Sequence, residues 1–422
     1  MSNKVARILR TLSEIGKEQS CKTLSERAVC SNEILCYLLI AIGRTSGAGR
    51  VMQSNALRLF LEADLAQLEV LLNMVGEDAW EFASSELVAA RRQNIQLLTL
   101  AHPQYPLRLL RTYDPPPVLY VRGVLPSYIN DVDDSLFVAI VGSRQATSYG
   151  LRTAERLARD IVSDRATVVS GLALGIDAAA HEGALRGAIA ARSGFAKNAY
   201  VGIAVLGSGV LRVAPSTNCY LSRKLLDEGG ALLSEFSLYE PASRYTFPLR
   251  NRIISGLSDV VIVVEANVKS GALITARLAA EQGREIMCVA GPIDSPNSKG
   301  ANKLIQQGAY LITSVDDIYD SIPRFSHLKP SVAIGEFRSE VPVSSGVATE
   351  LLEQLPPSWK NLASSLLKTL HECKICPFDN LVEKLSCSPS DLRAVVTELE
   401  LRNALSLELG DLVSIAAGSI DN

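Results

Sequence analysis

Val260-Val261-Ile262-Val263-Val264 is an unbroken apolar run, closed at one end by Asp259 and at the other by Glu265. A strand with one face in water alternates polar and apolar residues. A short run without polar interruption, rich in β-branched residues, suits a parallel strand covered on both faces. Such a strand needs neighbours of its own kind, and the chain supplies them from Leu136 onward. Strand-like runs at Leu136–Val141, Thr167–Val169, Val201–Leu206, Ala231–Leu233 and Ile286–Val289 are separated by helical patterns. The helical patterns cover Ser148–Val162, Ile176–Ala190, Thr217–Glu228, Arg250–Gly256, Ala272–Gln282 and Asn302–Gln307. This alternation predicts an α/β fold: a Rossmann-like, doubly wound parallel sheet with its loops gathered at the carboxyl ends of the strands.

The flanks read differently. Residues 1–100 show apolar spacing of three and four and predict a helical N-terminal domain, in which Gly43–Arg50 is a plain interhelical loop. Pro115-Pro116-Pro117 forbids helix and leads into a short strand, so residues 101–135 form an extended entry to a central domain spanning 101–322. Residues 323–349 are polar and aperiodic and read as a linker. Within 350–422, helical patterns at Leu362–Cys373, Pro377–Leu385 and Ser388–Arg402 precede Leu405–Leu409 and Leu412–Ile415, the outline of a winged-helix domain. Its third helix sets Asp391, Glu398 and Glu400 against Arg393 and Arg402, which is no basic face for a DNA groove.

Three of the predicted loops carry small residues at strand ends. They are Gly142-Ser143-Arg144, Ser170-Gly171 and Gly207-Ser208-Gly209, and a fourth, Lys269-Ser270-Gly271, follows the Val260 run. Each offers backbone N–H groups and close approach to an anion near a helix start. Arg212 stands where the last glycine of GxGxxG would be, so NAD is not expected. Arg244, Tyr245, Phe247, Arg250, Asn251 and Arg252 add guanidiniums interleaved with aromatic rings, a combination suited to unpaired DNA, whose splayed bases stack while its backbone follows positive charge. The formal net charge is −3, so such a site must be a local patch.

Other candidates read as structural. His181 lies on a helical pattern as a packing residue, Asp177 caps that helix, and Glu265 has no partnered carboxylate or nucleophile. The Cys373-x-x-Cys376 spacing fits no standard zinc set, and no metal or cofactor is expected. The eight cysteines are scattered, no secretory segment precedes them, and no apolar run approaches a membrane span. A cytoplasmic protein with reduced thiols is expected.

Taken together, Gly142-Ser143-Arg144, Ser170–Leu185, Phe247-Pro248-Leu249-Arg250-Asn251-Arg252-Ile253-Ile254, Lys269–Thr275 and Glu281-Gln282-Gly283-Arg284 resemble the DNA-processing protein A family (DprA/Smf). The resemblance covers roughly residues 103–318. It implies a cytoplasmic bacterial protein that binds single-stranded DNA, loads the RecA recombinase during natural transformation, forms homodimers through the Rossmann-like domain and is not an enzyme. By motif it maps a DNA pocket onto Gly142, Ser143, Arg144, Arg244, Phe247, Arg250 and Asn251, with Lys269 nearby. Leu174 stands where the family commonly carries Lys or Arg, and Leu211 and Ala214 stand where it usually carries Asp and Tyr. Residues 192–199 are an insertion, read as a solvated loop, with replacement of lost charge by Arg192 and Lys197 as the alternative role. The alternative is a nucleoside-monophosphate phosphoribohydrolase-like enzyme on a related sheet. That reading requires a Pro-Gly-Gly-x-Gly-Thr loop where this chain has Lys269-Ser270-Gly271-Ala272. A transcriptional regulator led by the winged helix is a third reading, and it lacks the basic surface.

Overall fold

The computed structural model describes residues 24–44, 53, 72–163, 165–193, 198–329, 357–373, 375–385, 387–401, 405–408 and 412–415. The chain divides into two compact units, one ending at Lys329 and the other beginning at Pro330. The first is built on nine strands: β1 Ile95–Thr99, β2 Val118–Gly123, β3 Leu136–Val141, β4 Ala166–Ser170, β5 Ile203–Val205, β6 Ala231–Ser234, β7 Val260–Val263, β8 Glu285–Cys288 and β9 Tyr310–Leu311. Their order is β1-β2-β6-β5-β4-β3-β7-β8-β9. Strands β3 to β9 run parallel to their neighbours, while β2 is antiparallel to β6 and β1 to β2.

Period-two packing explains the unbroken apolar runs. Leu136, Val138, Ile140, Val260 and Ile262 join one core with the helices Ser148–Ile161 and Ile176–Ser193. Phe137, Ala139, Val141, Val261 and Val263 join a second core with the helices Thr246–Leu257 and Gly271–Glu281. Both faces of β3 and β7 are therefore dry, as a doubly wound sheet requires.

Three segments of the first unit depart from the sequence reading, the shortest being the helix Leu107–Leu110 inside the expected extended entry. Ile95–Thr99 falls within the stretch read as helical, yet it is an edge strand. The preceding helix, Glu77–Arg92, ends at Gln93 and the chain reverses through Asn94 at φ 51°. Pairing with β2 then fixes an extended conformation that local apolar spacing does not announce. Asn32, on the helix Leu24–Gly43, clamps the strand: its Oδ1 accepts from Thr99 N at 3.0 Å and Thr99 Oγ1 at 2.8 Å, and its Nδ2 donates to Leu97 O at 2.8 Å. The third departure is at Pro323–Leu328, the start of the expected linker, which forms a 3₁₀ turn with Phe325 fully buried. The rest of the expected linker, most of the Gly43–Arg50 turn and part of the 192–199 insertion, with Lys197, lie outside the described residues.

The second unit has helices Pro357–Cys373, Phe378–Leu385 and Pro389–Leu401 and an antiparallel sheet of β10 Ile375–Pro377, β11 Leu405–Glu408 and β12 Leu412–Ile415, ordered β10-β12-β11. Leu366, Leu370, Leu381, Leu392, Val395, Leu399 and Val413 form its core. The expected hairpin thus gains a third strand from the segment between its helices. Among the described residues no helix is long and apolar enough to cross a membrane.

At the amino end of β7 the Asp259 carboxylate is buried among three donors. Its Oδ2 accepts from Arg108 Nε at 2.9 Å and Phe137 N at 3.0 Å, and its Oδ1 from Arg324 Nη2 at 3.2 Å. Arg108 is also 1% exposed and lies 4.5 Å over the Phe137 ring. Burial raises the Asp259 carboxyl and Arg108 draws it back down. Arg108→Ala would strand this carboxylate on weaker partners, and we expect a loss of about 3–5 kcal/mol in a denaturant titration.

Candidate nucleic-acid interface

The chain order places the sheet's switch point between β3 and β7. From β3 the succession β4, β5, β6 builds outward in one direction, and β7, β8, β9 in the other. Loops after β3 and β7 diverge there and leave a crevice at the strand ends. Gly142 makes the turn out of β3, where a Cβ would lie 2.6 Å from Ile176 Cγ1 and 2.9 Å from the Glu265 carbonyl oxygen. Ser143 Oγ accepts from Gln145 N at 3.1 Å, and Ser143 O accepts from Ile176 N at 3.2 Å. With the loop so held, Arg144 projects from it, exposed.

In dinucleotide-binding sheets the helix that follows this loop receives a phosphate at its N-terminus. Here that place is filled from within. Thr147 caps the helix Ser148–Ile161 by accepting from Gly150 N. Glu265 accepts from Thr147 N at 3.0 Å and from Thr147 Oγ1 at 2.5 Å. Glu265 is 4% exposed, and Gly150 lacks a side chain because a Cβ would stand 2.5 Å from the Glu265 carboxyl carbon. Both oxygens of Glu265 are therefore engaged. Thr147 was not singled out in the sequence; its signal is a threonine directly ahead of a helical pattern.

The next two loops build the floor. Ser170, expected at the interface, is fully buried and donates its hydroxyl to Ile140 O at 2.6 Å, which ties β4 to β3. Asp177 Oδ2 accepts from Gly171 N at 3.2 Å and Ala173 N at 3.4 Å. Asn218 Nδ2 donates to Leu172 O and Ala173 O, holding Leu172 at φ 54°. Arg250 enters this floor from the helix Thr246–Leu257. It is 3% exposed and donates from Nη1 to Val205 O at 2.8 Å. A Cβ on Gly171 would fall 1.6 Å from that same nitrogen, so a side chain there would displace the guanidinium. Burial lowers the Arg250 guanidinium to about 10, with Asp177 raising it and Arg144 lowering it. It therefore remains charged at neutral pH, a buried cation beneath the rim and not a free one upon it.

Phe247 lies one helical turn above Arg250. A Cβ on Gly207 would lie 2.9 Å from Phe247 Cδ1, and the Arg144 guanidinium carbon lies 4.6 Å over the Phe247 ring. The loops after β3, β4 and β5 thus meet on two turns of one helix. Outside them, Arg244 lies 4.8 Å over the Tyr245 ring and donates from Nη2 to its hydroxyl at 2.6 Å, and Tyr245 is 67% exposed. On the β7 side, Lys269 and Gly271 are exposed, and Ser270 caps the helix Gly271–Glu281 by accepting from Ala272 N at 3.2 Å. Asn251 Nδ2 reaches Gly271 O at 3.5 Å.

Arg252 does not join this group. Two residues beyond Arg250 it points from the opposite side of the helix, 9% exposed, into the Glu235 carboxylate and the Asp114 carbonyl. Helical periodicity separates residues that adjacency in sequence had paired. Leu174 is 45% exposed, an apolar tip where the resemblance would place a cation. Arg192 gives no compensation, being paired with Glu228 at 3.0 Å. Among the described residues no group of three or more His, Cys, Asp or Glu could hold a metal ion.

A family model described as DNA recombination-mediator protein A matches residues 96–323, more than half of the 422-residue chain. The chain belongs to this family. Protein Smf of Escherichia coli K12 is 41% identical over 255 residues, which are 60% of this chain and 64% of that protein. DNA processing protein DprA of Bacillus subtilis is 38% identical over 237 residues, 56% of this chain and 74% of that one. The solved structure of DNA processing protein A from Streptococcus pneumoniae aligns with a TM-score of 0.56 at 30% identity, covering 68% of this chain and 96% of the other. The matched region includes the sheet from β1 to β9 and the whole rim just described.

Behind the rim, His181 is fully buried, and burial pushes its imidazole down to about 4. The unfolded chain takes up this proton near pH 6.5 and the folded one does not, so falling pH between those values favours unfolding. Burial raises Asp177, which works in the opposite sense, so the histidine must be isolated by substitution. Between pH 6.5 and 4 the wild type should lose up to about 3 kcal/mol more than His181→Gln in denaturant titrations.

Proposed function

We propose that this chain binds single-stranded DNA along the carboxyl rim of its sheet and does not cleave it. We further propose that it hands the strand to the RecA recombinase during natural transformation, as a cytoplasmic homodimer joined through the sheet-bearing unit. The observation that carries the DNA reading is the Arg144 guanidinium carbon 4.6 Å over the Phe247 ring at the switch point. A guanidinium stacked on a ring turns its second face and its edge donors outward. A nucleobase stacks on the face and a phosphate takes the edge. Arg244 with Tyr245 repeats the pairing nearby, and Lys269 adds a third exposed charge. Duplex DNA keeps its base faces stacked inside and offers such platforms only its phosphates.

Glu265 supports a polymer on the rim over a mononucleotide in the crevice, because the phosphate place at the first helix is occupied by a carboxylate. Lys269-Ser270-Gly271-Ala272, standing where a phosphoribohydrolase would need Pro-Gly-Gly-x-Gly-Thr, counts against that enzyme. Membership of the recombination-mediator family supports DNA as the ligand, and recombinase loading and dimerisation follow from the family resemblance. We read the second unit as a winged helix. Its helix Pro389–Leu401 carries Asp391, Glu398 and Glu400 beside Arg393, a charge balance suited to a protein contact more than to a DNA groove.

Fluorescence anisotropy with a labelled single strand and its duplex, at low and at physiological salt, tests the reading. The single strand should bind more tightly. With three exposed cations, log affinity should fall against log salt with a slope of about −2. Arg144→Ala should weaken binding about tenfold and flatten the slope by about 0.7. Equal binding of duplex, or unchanged affinity in Arg144→Ala, would remove the site assignment.

A further inference from the structure

The segment between β6 and the helix Thr246–Leu257, residues 235–245, ends in Arg244 and Tyr245 and has no sheet pairing to hold it. Arg252 holds its start through Glu235, Ser243 and Thr246 bond each other at its end, and its middle is anchored from the amino-terminal helices. Glu86, on the helix Glu77–Arg92, is 5% exposed, and its Oε1 accepts the Leu238 N–H. The Tyr120 hydroxyl, from β2, hydrogen-bonds the same carboxylate and also Ser237. Backbone contacts then run from Leu238 to the loop after β5. Leu238 O accepts from Leu211 N at 3.0 Å, and Glu240 O accepts from Gly209 N at 2.9 Å. Gly209 approaches so closely that a Cβ would lie 2.0 Å from Ser237 O, and Gly207, two residues earlier, lies against Phe247. Contacts link Glu86 to the loop beneath Phe247, and the same segment runs on through residues 239–243 to Arg244 and Tyr245.

A buried carboxylate is a costly means of holding one loop amide, because its charge must leave water. Burial raises the Glu86 carboxyl; the Leu238 amide, the Tyr120 hydroxyl and Arg44 lower it, and Glu240 raises it further. The place requires an acceptor oxygen, and a glutamine amide supplies one of the same reach.

We propose that Glu86 is a positioning residue for the DNA site: through Leu238 it sets the 235–245 segment, and with it Arg244, Tyr245 and the loop beneath Phe247. The inference rests on the rim being a single-stranded DNA site. It assigns the amino-terminal helices a part in recognition without contact to the strand.

The test is single-strand anisotropy on the full chain, with denaturant titrations run in parallel. Glu86→Ala should weaken binding about tenfold, and Glu86→Gln should bind as the wild type does. Asn32→Ala removes the other buried clamp of these helices, at β1, and should lower stability without changing affinity. Combined with Arg244→Ala and Tyr245→Ala, the effect of Glu86→Ala should be less than additive. If Glu86→Ala does not fold, Glu86→Asp withdraws the acceptor by one methylene and should show the same loss. Wild-type affinity in either folded variant, failure of Gln to restore it, full additivity, or an equal loss in Asn32→Ala would each overturn the proposal. Arg144→Ala separates the two levels. Its loss of binding with Glu86→Ala unaffected overturns this inference alone, and its unchanged binding overturns the DNA reading beneath it.

Discussion

Both ends of β7 close on a buried carboxylate, and the sheet depends on how each is satisfied. A strand dry on both faces can change to polar residues only where it leaves the core, so Asp259 and Glu265 mark its limits. Neither has access to enough water to be left alone. Asp259 is met by Arg108, Arg324 and the Phe137 amide, and so locks the entry segment, β3 and the 3₁₀ turn at the unit's end to one point. Glu265 is met by Thr147, and so locks the exit of β7 to the first helix. The same physical need works at the amino end for stability and at the carboxyl end for the shape of the crevice.

The rim follows from that second lock. With the first helix N-terminus filled, the positive character of the region is carried by side chains on the loops around it. Arg250 lies beneath them as a buried cation, held by Val205 O and the field of Asp177. It positions the helix turn whose next residue outward, Phe247, supports Arg144. Gly171 and Gly207 are small because Arg250 and Phe247 occupy the space their side chains would need. Arg144, Arg244, Tyr245 and Lys269 stay exposed, while the residues between them are already committed to one another.

The parallel sheet was legible because β3 and β7 are apolar at every position and the alternation with helices is long. The small-residue loops were legible as a group, since each follows a strand. Ser170 and Arg252 were not legible as structural residues. A serine at a strand end reads the same whether its hydroxyl meets Ile140 O or a ligand, and an arginine beside Arg250 reads as its companion until helical rotation turns it toward Glu235. Ile95–Thr99 was missed for a related reason: an edge strand draws its conformation from its partner, here β2, and not from its own spacing.

Sequence alone determined the α/β class, the strand that anchors it and the set of loops from which a site could be made, because burial on two faces and glycine at turns leave a direct trace in residue type. Only the tertiary structure decided which cations stay exposed, which are consumed as internal partners, and that Glu265 holds the threonine capping the first helix. Those outcomes turn on distances between residues far apart in the chain, such as Thr147 with Glu265 and Glu86 with Leu238, and no local pattern encodes them.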